Sequence, residues 1–260
     1  MQAKKEVMIQ PELHFYDFGE GVTAFSTTRR GGFSRGNYGE FNINSYCGDN
    51  IEAIRQNRAL ICGLLGIDDC RLLMPHQVHE TEIVTVDETT CQAELEGVDA
   101  LMTNIPGICI GVSTADCIPV LLYDKVRHAV CAIHAGWRGT VKRIVEKAVS
   151  AMISTYDTRP ADIQAQIGPG IHLESFEVGD EVYEAFANEG FEMGTISRKM
   201  GQKWHIDLPE CNRQQLLSKG IPQNQISVSE VCTFQHSETY FSARRLGINS
   251  GRIFTGILML

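Results

Sequence analysis

The chain has 260 residues, 43% of them hydrophobic and 21% charged, with a net charge of −9. That is globular composition, long enough for a sizeable core and too apolar for a disordered chain. Nucleic-acid backbones demand a basic surface, so no nucleic-acid partner is expected, and only a local arginine pocket for a small anion stays open.

The start, MQAKKEVMIQPEL, is polar and lacks the apolar stretch of a secretion signal. No apolar run approaches the roughly 18 residues a membrane span needs. The nine cysteines are odd in number and form no CxxC pair. Without a secretion signal they read as reduced thiols, and Cys62, Cys109 and Cys131 lie in apolar runs as small core residues. The expectation is a cytoplasmic protein with no membrane partner, acting as a monomer or weak homodimer.

Residues from about 13 to 27 alternate and carry aromatics, which predicts two strands. TTRRGGFSRGNYGEFN then reads as a long glycine-rich loop, and long ordered loops are often functional. From Asn50 to about Leu65, Ile51, Ile54, Leu60, Ile61 and Leu64 mark one helical face, with Asp49 or Asn50 as cap. Between Arg71 and Ala135 the runs LLMPHQVH, TEIVTV, DALMT, ICIGVS, IPVLLY and HAVCAIHA are short, β-rich and separated by turn residues. Thr140 to about Met152 reads as a helix, IQAQIGPGI as a strand entering a Gly-Pro turn, and two helices follow near Glu181–Ala187 and Pro209–Leu217. ISVSEV and IFTGIL close the chain as strands. No linker, repeat or low-complexity tract marks a boundary. The order predicts a mixed α+β fold in a single domain over residues 1–260, without regular βαβ alternation.

His79, Cys117 and His134 are the candidate metal ligands. Their wide, uneven spacing is unlike a structural zinc site, which uses close pairs. Catalytic zinc uses three ligands from separate elements and leaves a fourth position open. Against this, a lone Cys at a strand start is most often packing, and a lone His before a turn often caps a carbonyl. His76, three residues before His79, is an alternative ligand or a partner of one.

HQVH, TADCIPV and HAGWRGT, in this order and spacing, resemble the YfiH-type laccase-domain family, whose members are named polyphenol oxidases and purine nucleoside phosphorylases. The long loop is similar to the family's Thr-Arg-x-Gly-Gly-x-Ser segment. DALMT, IGPGI with FEVG, IDLPECNRQQL, YFSARR and the closing SGR also fall in family order. The resemblance covers nearly the whole chain and implies a layered α/β/β/α arrangement with mixed β-sheets. It places the metal on His79, Cys117 and His134, as zinc with copper as a second possibility. One departure is Glu80, where the family commonly has Gly.

Arg29, Arg138 and Arg244 stand in matched motifs, and a guanidinium fork suits phosphate or carboxylate. In HAGWRGT, Gly136 and Gly139 would let the backbone turn sharply beside a helix start. Asp116 precedes Cys117 and could orient a ligand, act as a base, or be structural. Asn42 and Tyr38 could meet a ribose or base, Ser242 a phosphate, and Trp137 a purine, though a wedged core Trp is commoner. Arg30 and Arg245 read as surface pairs. His14, His128, His172, His205 and His236 read as structural or surface residues.

The resemblance implies a zinc-dependent purine nucleoside phosphorylase, converting adenosine, inosine and methylthioadenosine with phosphate into base and ribose 1-phosphate, with adenosine deaminase activity besides. Catalysis would then involve Cys117, His134, Asp116 and Arg29. The usual deaminase HxE…PCxxC signature is absent, so deamination would use another constellation. A copper-dependent polyphenol oxidase is the first alternative, since His₂Cys is also the trigonal blue-copper set. The eight histidines form no His-x-His pair, however, and multicopper sites repeat that pair. A cysteine hydrolase with Cys117 as nucleophile and His134 as base is the second. A metal-stabilised interaction module is the non-enzymatic reading.

Overall fold

The computed structural model describes residues 9–260. The polar start read from residues 1–8 lies outside them. Two large mixed sheets face each other. The first has five strands in the order Leu13–Tyr16, Val22–Thr27, Ile253–Met259, Cys109–Thr114 and Leu72–Leu73. The second has six, in the order Ile226–Val228, Ile163–Ile167, Ile118–Asp124, Ala129–Ala135, Ala100–Thr103 and Ile83–Thr85.

The alternation of side chains along each strand builds the layers. Leu121, Tyr123, Val130 and Ala132 of the second sheet meet Ile110, Val112, Ile257 and Met259 of the first. Val120, Leu122, Cys131 and Ile133 point the other way, onto Ile144, Val145, Ala148 and Val149 of the helix Ile144–Tyr156 and Leu216 of the helix Leu208–Ser218. The far face of the first sheet, with Phe25, Cys109 and Phe254, packs on Ile61 and Cys62 of the helix Ile51–Leu65. The order is therefore α/β/β/α, as the resemblance implies. The central strands are buried on both faces, so their runs are continuously apolar rather than alternating.

The first helix starts where Asn50 accepts from the N–H groups of Glu52 and Ala53, and it stops at Gly66 in the left-handed region. The helix expected from Thr140 is in fact two. A short one spans Trp137–Val141, and Ile144–Tyr156 follows after Arg143 takes φ 62°. Arg143 holds that bend with its guanidinium 3.6 Å over the Phe191 ring and a 2.8 Å bond to the Glu189 carbonyl. A three-stranded sheet of Glu177–Val178, Lys203–Ile206 and Ser197–Met200 was not legible, because its strands are short and mostly exposed. LLMPHQVH is strand only at Leu72–Leu73. The rest is a strap pinned by the Gln77 side chain, which bonds both the N–H and the carbonyl of Ser113 at 2.8 Å. That strap carries His79.

Candidate metal centre

Ile118–Asp124 and Ala129–Ala135 are an antiparallel pair in which Ile118 lies opposite Ala135 and Pro119 opposite His134. That register brings Cys117, just before the first strand, level with His134 near the end of the second. The strap delivers His79 to the same place. The ligand atoms of His79, Cys117 and His134 all lie within 4.8 Å of one another. Burial is graded across the three: His134 is enclosed, Cys117 half-buried and His79 exposed. The group is thus open on the His79 side.

Gly136 follows His134 and closes the floor. A Cβ there would sit 2.9 Å from His79 Cδ2, 3.2 Å from Cys117 Sγ and 3.5 Å from His134 Cε1. Any side chain would fill the space the three ligands surround, and this close approach accounts for the glycine.

Asp99 is the organising residue, and it was not among the residues singled out from sequence. Its carboxylate is fully buried. Oδ1 meets His134 Nδ1 at 2.7 Å and accepts the His79 N–H at 3.0 Å. Oδ2 accepts the N–H groups of Glu80 at 2.8 Å and Val78 at 3.3 Å. One carboxylate thus orients one ligand ring and anchors the strap bearing the other, where His79 takes φ 65°. With Nδ1 engaged, His134 presents Nε2 to the ligand group. The available signal was the Asp itself at the head of a buried strand, since a carboxylate is almost never fully buried unpaired. Burial raises the Asp99 carboxyl, but the bond and charge of His134 together with the Glu80 and Val78 N–H groups outweigh it and hold it below the usual range.

The same arrangement polarises the thiol. Burial pushes Cys117 up, but His134 and then His79 draw it down to about 6. Burial pushes His134 down, but the Cys117 thiolate and Asp99 raise it to about 9. The pair favours thiolate and imidazolium. One thiolate and two imidazoles, with an open side and oriented rings, fit a four-coordinate zinc ion with three protein ligands.

The three ligands line a cavity of about 320 Å³ with Asn44, Tyr46, His76, Gln77, Ser113 and Arg252. That is within the range of small-molecule sites. The other sequence-derived candidates stand around it rather than in its lining. Arg29 donates from Nε to the Gly39 carbonyl at 2.9 Å and from Nη1 to the Ser237 carbonyl at 2.7 Å. Asn42 is buried and bonds Asn44, Asp49 and the Arg252 N–H. Tyr38 donates to the Cys47 carbonyl. Arg138 is exposed and lies over the Trp137 ring at 4.3 Å. Arg244 donates to the Glu177 carbonyl at 3.1 Å, and Ser242 caps a short helix by accepting from the Arg245 N–H. Asp116 takes φ 88°, accepts the Thr233 hydroxyl at 2.7 Å and accepts the Arg244 N–H at 2.7 Å. Asn44, Gln77, Tyr46 and Arg252 in the lining were missed. The only local mark of Arg252 in the sequence is its place in the closing SGR motif.

Among the described residues no helix is long and apolar enough to cross a membrane. Residues 23–260 match the family model described as multi-copper polyphenol oxidoreductase laccase. The chain is 47% identical over 248 residues to the purine nucleoside phosphorylase of Bacteroides thetaiotaomicron, covering 92% of each chain. It is 43% identical over 258 residues to adenosine deaminase RL5 of an unknown prokaryotic organism, covering 95% of this chain and 98% of that one. Among solved structures, the hypothetical protein YfiH of Bacillus licheniformis superposes with a TM-score of 0.92 at 30% identity, over 96% of this chain and 97% of that one.

Proposed function

This chain belongs to the multi-copper polyphenol oxidoreductase laccase family, and from that premise we propose a zinc-dependent purine nucleoside phosphorylase that also deaminates adenosine. The observation that carries the reading is the convergence of His79, Cys117 and His134 on the wall of a cavity sized for a small molecule. Two relatives of high identity bear the names of those two activities.

His79, Cys117 and His134 would hold the ion, which supplies a Lewis acid at its open position. The chain's own residues supply the rest. Asp99 keeps both histidines in place. The Asn44 and Gln77 amides, engaged by Ser113 and the Tyr46 N–H, shape the wall, and Tyr46 offers a ring face to a base. Phosphate entering an acidic protein requires a local cation. Arg252 is the arginine of the lining, while Arg29, Arg138 and Arg244 lie outside it and would reach phosphate only by giving up their contacts to Gly39 and Ser237, to Trp137 and to Glu177. Holding phosphate beside the sugar removes part of the entropic barrier to attack at C1′. Among the described residues one three-ligand group is found, which suits one-ion chemistry and favours zinc over a multi-copper oxidase.

The test is elemental analysis of the purified protein together with turnover of adenosine and inosine, with and without inorganic phosphate. About one zinc per chain and phosphate-dependent ribose 1-phosphate are expected. Base release that ignores phosphate means hydrolysis and removes the transferase reading. Arg29→Lys and Arg252→Lys keep charge and lose the fork, so their phosphate titrations rank the two arginines. Copper-loaded, zinc-free protein that oxidised phenols rapidly with matching oxygen uptake would restore the oxidase reading.

The Cys117–His134 ion pair favours a second reading, a cysteine hydrolase in metal-free protein. Amide or ester hydrolysis that rises on zinc removal and vanishes in Cys117→Ser would establish it.

A further inference from the structure

Resting on the phosphorylase reading, we propose that His76 and Glu96 are the proton-transfer pair of this cavity, with Glu96 orienting the ring and His76 Nε2 protonating the departing purine. His76 lines the cavity beside the three ligands but is not one of them. Its Nδ1 meets Glu96 Oε1 at 2.5 Å. Backbone pairing sets that contact. His76 and Glu96 form an isolated parallel bridge, the His76 N–H donates to the Leu95 carbonyl at 2.9 Å, and the Gly97 N–H donates to the His76 carbonyl at 3.0 Å. Tyr46 stacks on the imidazole, with centroids 3.9 Å apart and planes 14° from parallel.

The carboxylate and the stacked ring together fix the imidazole's position and rotation. Nε2 is left with no hydrogen-bond partner among the described residues. Glu96 is exposed and the pair by itself is worth little to stability, so what the contact does is fix the ring. A ring held by a carboxylate in the wall of a reaction cavity has the arrangement of a positioned acid–base. Tyr46 is 44% exposed, so its outer face remains open to a planar base.

An oxygen of hydrogen phosphate bonds to C1′ while the C1′–N9 bond breaks, and that electron pair leaves with the base. His76 Nε2 gives its proton to N7, so the base departs neutral. The remaining phosphate hydroxyl then loses its proton to Nε2, leaving ribose 1-phosphate as the dianion and His76 as it began.

N7-methylinosine separates this role from a structural one. Its base already carries positive charge and departs neutral without a proton. In zinc-loaded protein, His76→Asn is expected to slow inosine phosphorolysis about 100-fold or more, the usual scale of general acid catalysis. The same variant should slow N7-methylinosine less than about 5-fold, with zinc content unchanged. Glu96→Gln keeps the ring and should show the same selectivity at about 10-fold. Equal losses on both substrates, or full inosine activity in His76→Asn, overturn the assignment while leaving the phosphorylase reading intact. Wild type that cleaves neither nucleoside overturns that reading, and this one with it.

Discussion

The metal centre and the loop cluster around it carry equally strong sequence motifs, yet their polar groups end up in opposite states. At the centre, two imidazoles and a thiol converge on a shared space that Gly136 leaves empty. In the loops, polar groups are spent on the protein itself. Asn42 is satisfied by its own loop and by the Arg252 N–H, and Asp116 joins the segments at Thr233 and Arg244. A motif reports that a residue type is required; whether its atoms are available to a ligand depends on what already satisfies them.

Substitutions that enter the shared space sharpen this contrast most. Cys117→Ala removes the anionic ligand, and Gly136→Val drives a side chain against His79 and Cys117. Both are expected to abolish stoichiometric zinc and turnover while circular dichroism stays native, since the group lies at strand ends beside a solvent-open cavity. Stoichiometric zinc in Cys117→Ala would reassign the ligand.

Next is Asp99→Asn. An amide accepts through one atom only, and its NH₂ group turned toward His134 Nδ1 would shift the ring proton to Nε2, the nitrogen that faces the ligand group. Losing a ligand's orienting partner costs about 10–100-fold in metal affinity. Competition with a chromophoric chelator measures it, and unchanged affinity would reduce Asp99 to a packing role.

Asp116→Ala probes the other side of the comparison. It leaves the Thr233 hydroxyl and the Arg244 N–H without their acceptor. Unmade buried bonds to a charged group cost about 1.5–3 kcal/mol, or a Tm loss on the order of 5 °C for a chain of this size. Zinc is expected to stay bound. A selective loss of turnover at unchanged Tm would instead make Asp116 part of the chemistry.

These outcomes bear on what was legible in the sequence. The layers were legible because Ile118–Asp124 and Ala129–Ala135 are continuous apolar runs, and the first helix because its apolar face and cap agree. The three ligands were legible as a set only through the ordered motifs, because spacing along the chain does not encode the register that aligns Cys117 with His134. Asp99 was hidden for the same reason. Its four partners lie on two other segments, and its place at the head of a buried strand is the one local mark of its burial. Arg143 broke the expected helix through a contact with Phe191, which is likewise non-local.

The smallest expected effect is a count of protons. In metal-free protein Cys117 ionises near 6 and His134 near 9, so between these values the thiolate faces an imidazolium. A metal needs the thiolate as it stands but needs the His134 Nε2 lone pair, so binding must expel the imidazolium proton. The Cys117–His134 pair should therefore give up about one proton per zinc near pH 7.5, falling toward none above pH 9, and a water on the ion's open position, ionising near pH 7, would add up to one more. Calorimetry in buffers of different ionisation enthalpy reads the total release. Asp99→Asn weakens the support for the imidazolium, so the release should shrink in that variant. A release that is the same in Asp99→Asn as in the wild type would mean that Asp99 does not hold the His134 proton.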